Sequence, residues 1–281
     1  MMSLVLGLLA ALVWGLHDFG VRFVTAKSAA LSAFLVVLVT GTVILAPLSL
    51  VVGGWGAMTG RAFALAALSG LAYVLGGIGL FKAFAIGPVR LVAPIAASYP
   101  MLSVGWAAVQ GQPISLWQWL AVAGIVAGIG TVAFWAQDHG ETEDRRGNAM
   151  GWAFAGAVGF ALTFSIGHAA AQAGAELPAQ LVGRATSVLG LGAVLLAIRH
   201  EWHIDPGHRW LLLGMGILDM TALGMVLLAG NLRHPEFAAV ASSIFGIVTI
   251  VLAWRFLREP MVTGQWVGVG IVFAGIAYLA V

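Results

Sequence analysis

About ten runs of roughly 20 apolar residues, cut by short polar or Gly/Pro breaks, leave this chain few ways to fold. A helix needs about 20 such residues to cross the hydrocarbon core of a bilayer. The runs cover roughly 3–25, 31–52, 61–86, 89–109 and 116–136, then roughly 149–170, 178–198, 210–230, 236–256 and 262–281. Ala26-Lys27-Ser28, Gly53-Gly54-Trp55-Gly56, Gly87-Pro88 and Gln110-Gly111-Gln112-Pro113 mark the first breaks. Midway lies the most polar stretch, Gln137 to Asn148, which belongs in water. Charged residues make up only 9% and hydrophobic residues 61%, where a soluble domain carries about 25% charged residues. That excludes a soluble enzyme and a disordered chain. A net charge of +2 is also too small for a nucleic-acid-binding surface. Cysteine is absent, so there is no disulfide framework, thiolate metal site or cysteine nucleophile. The first run lacks a basic start and continues through His17, Asp18 and Arg22, which reads as a retained helix rather than a cleaved signal.

The halves on either side of the polar stretch repeat. Sliding the second back by the distance between Pro113 and Pro260 brings Pro88 onto Pro235, Gln118 onto Gln265, Trp119 onto Trp266 and Gln112 onto Glu259. The repeat is strongest over the last two helices of each half. Five is odd, so two copies of a five-helix unit enter the membrane in opposite directions. The expected fold is therefore an all-α membrane protein of about ten spans, built as two inverted five-helix repeats. The first repeat covers 1–137, a polar linker 138–148 and the second repeat 149–281. Such a pair can open to either side with similar energy, which is the physical basis of alternating access.

The second half reads Pro235-Glu236-Phe237-Ala238-Ala239-Val240, an apolar helix, Phe256-Leu257-Arg258-Glu259-Pro260, then Gly264-Gln265-Trp266-Val267-Gly268 and a Gly-rich last helix. This resembles the EamA domain of the drug/metabolite transporter superfamily, with Arg258 where Gly is usual. The first half carries the pattern more loosely, with Gln112 for the usual Glu, and Trp14-Gly15 is similar to the family's opening. The resemblance implies a carrier of small metabolites such as amino acids, often outward, through a cavity between the halves. It also implies that helices one, three, four, six, eight and nine line that cavity, and that both termini lie in the cytoplasm of a cell whose inner membrane holds the protein. The distribution of cations runs the other way. Lys27, Arg90, Arg145, Arg146, Arg199, Arg209, Arg255 and Arg258 would then lie near outer loops, against Arg61 and Arg233 near inner ones.

A charge at mid-bilayer costs at least about 2.5 to 3.5 kcal/mol on insertion scales, so each needs a reason. Asp219 sits at the centre of helix eight between Leu218 and Met220. It reads as a proton-binding carboxylate or a partner for a substrate amine, or else as a helix-packing group bonded to Thr221, a backbone group or an arginine. Trp14, His17 and Asp18 share one face of helix one, and Asp18 and Arg22 are four apart and can pair. His17 is the second candidate for proton coupling. His168 falls near the end of helix six. Arg184, inside helix seven, either anchors a carboxylate or snorkels to the interface, and Lys82 shares the ambiguity. Tyr73 and Tyr99 join the candidate substrate-binding set with Trp14, His17, Asp18, His168 and Asp219, Tyr99 as a stacking surface.

Gly124 and Gly128, and Gly264 and Gly268, form GxxxG pairs that let helices five and ten approach closely, within one chain or against a second copy in a homodimer. Pro94 and Pro100 interrupt helix four. No metal or nucleotide signature is present, and no cofactor is expected; His200 and His203 read as residues of a solvated loop. The expected function is a secondary transporter, more specifically an exporter, of a small metabolite such as an amino acid. Its partners are that small molecule and the lipid bilayer. The rivals are a flippase for lipid-linked substrates and a membrane-embedded enzyme, which would want clustered acids, bases or metal ligands at one interface.

Overall fold

The structure, a computed structural model, describes residues 2–109, 111, 113–135, 143–230, 241–242 and 244–279. Its regular elements are helices. The first half holds α1 (Met2–Val24), α2 (Ala30–Val52), α3 (Gly60–Ile86), α4 (Val89–Ala96), α5 (Tyr99–Val109) and α6 (Leu116–Trp135). The second holds α7 (Glu143–Ala173), α8 (Glu176–Ala197), α9 (Arg209–Gly230), α10 (Phe245–Leu252), which runs on into a π turn at Ala253–Leu257, and α11 (Thr263–Leu279). Among the described residues seven helices are long and apolar enough to span a bilayer: α1, α2, α3, α6, α7, α8 and α9. Shorter apolar helices occupy the fourth, ninth and tenth passes.

The fourth pass is two helices. The chain leaves helical geometry at Ala97 and Ser98, where Ser98 donates from both N and Oγ to the Ile95 carbonyl at 3.1 and 2.7 Å. Pro100 has no N–H to continue the ladder and disfavours helical geometry just before it. In the repeat register Ala97 lands on Ile244, which is itself a turn between helical Ala241–Ser242 and the start of α10. Each half thus breaks its fourth helix at the same place. Part of the polar stretch is helical. Glu143 and Asp144 already sit in the first turn of α7, where their charge complements the positive end of the helix dipole.

The halves interlock with their roles exchanged. The third helix packs on the sixth (α3 on α7) and the first on the eighth (α1 on α9). The third meets the seventh (α3 on α8) as the second meets the eighth (α2 on α9), and α4 touches α7 as α1 touches α10. The fifth and tenth helices, α6 and α11, pack on each other. There a Cβ on Gly128 would lie 2.8 Å from the Gly268 carbonyl oxygen, and one on Gly268 equally close to that of Gly128. These glycines, one from each GxxxG pair, serve a contact inside the chain. The α3–α7 seam is tighter still, with Gly79 against the Gly156 backbone and Gly159 against that of Gly76. Small residues substitute for hydrophobic driving force here, because lipid competes equally for apolar side chains.

Candidate functional site

Between the halves lies a cavity of about 850 Å³. Its centre is a buried ion pair. Asp219 on α9 is 4% exposed and Arg184 on α8 is 7% exposed, and the Arg184 Nη2 donates to Asp219 Oδ2. Trp14 Nε1 donates to the other carboxylate oxygen at 3.3 Å, and the Tyr73 hydroxyl lies 3.5 Å from Oδ2. The Arg184 guanidinium rests 4.8 Å from the centre of the Tyr73 ring. Four helices (α1, α3, α8 and α9) therefore meet on one carboxylate. Unpaired, it would cost far more in this environment.

A second pair sits beside the first. His17 Nδ1 and Asp18 Oδ1 are 2.9 Å apart, both residues buried. With Asp18 ionised the carboxylate only accepts, so Nδ1 carries the hydrogen and Nε2 is left without a partner. Among the described residues, three buried lining atoms have no hydrogen-bond partner: His17 Nε2, Arg184 Nη1 and Gln180 Oε1. Three lining hydroxyls are turned to backbone instead. Ser69 donates to the Thr163 carbonyl, Thr163 to that of Gly159 and Ser187 to that of Gly70. The remaining wall is aromatic. Tyr99, next to the break in the fourth helix, faces Phe164 at 5.0 Å between ring centres, and Phe245 at the start of α10 meets the Trp14 ring at 6.3 Å.

Toward one end the lining reaches the exposed residues Gln172 and Glu176, which we take as the open end, and beyond the other end the two halves are clasped together, which we take as the sealed end. Ala66, Gln172, Glu176 and Gln180 line the open end, near the start of α3 and the α7–α8 turn. At the opposite end the Glu259 carboxylate accepts from the backbone N–H groups of Val89 (3.1 Å) and Arg90 (3.3 Å), capping α4. Arg22 lies 3.7 Å from the same carboxylate and donates to the Phe84 carbonyl at 2.8 Å. Beside this clasp, His203 bonds the Lys27 carbonyl at 3.0 Å, His200 meets Ser32 and His208 meets Ser28.

Trp14, His17, Asp18, Tyr73, Tyr99 and Asp219 thus all border one cavity. His168 falls within α7, and its side chain lies outside the described residues. Several pairings differ from expectation. Asp18 bonds His17 rather than Arg22, whose aliphatic stem carries its head to the sealed end. Glu259 engages Arg22, while Arg258 beside it has positive φ and ends the π turn. Arg184 does not snorkel, because Asp219 and the Tyr73 face compensate it in place. Lys82 lies 4.2 Å over the Trp152 ring, away from the lining. His200 and His203 lie in the loop after α8, His203 exposed, and tie it to Ser32 at the start of α2 and to the Lys27 carbonyl. Gln180 is a lining residue that the sequence reading does not single out. It is polar and one turn before Arg184 on the same helix face, which is the signal that would find it.

A model of the EamA-like transporter family matches the chain twice, over residues 1–134 and 147–281. No curated protein sequence matches it. A solved crystal structure superposes with a TM-score of 0.62 over 98% of this chain and 95% of that one, at 17% identity. A likeness at that identity is one of fold.

Proposed function

The chain belongs to the EamA-like transporter family, integral membrane carriers of the drug/metabolite transporter superfamily, and from that premise we infer a secondary transporter that moves a small amino-bearing metabolite by alternating access. The observation that carries this reading is the cavity at the seam, walled by both repeats, reaching exposed residues toward one end and lying beside a contact between the repeats at the other. An amino acid is the compound class expected from the resemblance. Inner-membrane residence and termini in the cytoplasm come from the same source. In that orientation the open end faces the cytoplasm, where an exporter loads.

Asp219 is held by Arg184, Trp14 and Tyr73, which suits a fixed structural charge better than a travelling proton. His17, a lining residue with an unpartnered ring nitrogen, suits the proton. The test is counterflow in proteoliposomes with and without a pH gradient. The gradient should accelerate flux in the wild type and lose that effect in His17→Gln. A pH-gradient effect that survives His17→Gln removes His17 from coupling, and one lost in Asp219→Asn from a folded protein moves the role to Asp219.

A further inference from the structure

The charges around the cavity do not balance. Asp18 and Asp219 are two buried carboxylates, and among the described residues Arg184 is the one permanent cation buried with them at the cavity centre. A buried charge without a counter-charge is strongly disfavoured, so this centre calls for one more positive charge. The unfilled hydrogen-bond capacity has the same bias. With Nδ1 facing Asp18, a neutral His17 offers Nε2 as an acceptor, and Gln180 offers Oε1 as another. Arg184 Nη1 is the single unfilled donor among these three atoms. The guanidinium is already neutralised by Asp219, so Nη1 suits a neutral carbonyl or hydroxyl oxygen. A ligand carboxylate would add a third negative charge to the two present.

We propose that the central cavity selects a monocationic amine, with its ammonium on His17 Nε2 and a neutral oxygen on Arg184 Nη1, over the corresponding zwitterionic amino acid. This rests on the carrier reading above and narrows its substrate class. The aromatic wall of Trp14, Tyr99, Phe160, Phe164 and Phe245 receives an apolar or aromatic body, and its ring faces favour a cation nearby. Without the amine, a proton on His17 supplies the missing charge, so the amine and that proton exclude each other. Among the described residues, the other titratable groups lining the cavity are Asp18 on α1, Tyr73 on α3, Tyr99 on α5, Arg184 and Glu176 on α8, and Asp219 on α9, while α10 (Phe245–Leu252) has none.

The test uses three ligands that share one benzyl body: phenylalaninamide (a monocation), phenylalanine (a zwitterion) and 3-phenylpropanoate (an anion). Each is titrated against the purified, detergent-solubilised protein, reading the melting temperature, which a ligand specific for the folded state raises. The amide should bind at least tenfold more tightly than phenylalanine, and the anion least. Amide affinity should rise with pH below the amine's own ionisation, and His17→Gln should flatten that rise. Phenylalanine binding as tightly as the amide, or no shift with any of the three, overturns the proposal. Tight phenylalanine binding would leave the carrier reading standing. Amide binding to a protein whose cavity is only ever reached from one face would remove the carrier reading and keep the ligand class.

Discussion

Asp219 and Arg184 show how a membrane helix tolerates a charge. Each is buried and compensated where it stands. Removing one partner leaves the other buried and unpaired, which costs about 3–5 kcal/mol in comparable buried pairs. Arg184→Gln should therefore lower the melting temperature strongly, as should Asp219→Asn, while the double substitution should recover most of the loss. A double variant no better than the worse single one would mean that the pair is not the source of the penalty. Much of this site is legible in the sequence, because Trp14, His17, Asp18 and Asp219 are polar or amphipathic groups in helices that otherwise tolerate few. Arg184 is not. Whether a long cation snorkels or stays depends on what faces it from other helices, here Asp219 and Tyr73. The partner of Asp18 is hidden for a related reason. A spacing of four permits a pair with Arg22, but Arg22 finds Glu259 and the Phe84 carbonyl across the bundle.

Elements meet through glycine and through capped ends. At the α3–α7 seam a Cβ on Gly159 would run into the Gly76 backbone, and backbone cannot step aside as a side chain can. Gly159→Ala should destabilise by about 1–3 kcal/mol, the cost of overpacking. Gly192→Ala on α8, where nothing lies within 4 Å, should stabilise by about 0.5–1 kcal/mol, since alanine suits a helix interior better. Equal melting temperatures for the two variants would refute the close contact. The Glu259 cap makes a different prediction. Glu259→Gln weakens a charge-assisted bond to the Val89 and Arg90 amides, so those amides should exchange hydrogen on the order of tenfold faster, while those in the middle of α3 stay unchanged. No acceleration would mean that the cap does not hold the sealed end. The apolar runs locate most of these helices, because length and hydropathy alone set a span. The break at Ala97–Ser98 is only half legible. Pro94 and Pro100 mark the helix as interrupted, but Pro94 lies inside α4 without ending it.

On the whole-molecule scale, the proposed alternating access would draw two gates from one sequence pattern, and the pattern itself differs between the halves. Glu259 closes one end, and the residue in its register in the first half is Gln112, which lies outside the described residues. The sealed end also gathers Lys27, Arg90, Arg145, Arg199, Arg209 and Arg258, against the usual cytoplasmic placement of cations. A reporter fused to the C-terminus and active only in the cytoplasm should be active if the family orientation holds. An inactive but correctly inserted fusion would keep the mechanism and reverse the direction of flux. The duplication is legible because Pro113, Gln118 and Trp119 recur in register. The exchange of helix partners between halves is not, since it belongs to the folded pair and not to either half.

A carrier of this kind must expose one cavity to each side in turn, and the absence of native cysteine makes that exposure directly measurable. Ser69 lines the cavity, and a single Ser69→Cys substitution can be labelled with a membrane-impermeant maleimide in right-side-out and in inverted vesicles. Labelling should be fast from the open face and slower from the sealed face, with the slower rate raised by Glu259→Gln. Labelling from one face alone, with Glu259 intact or replaced, would contradict the account.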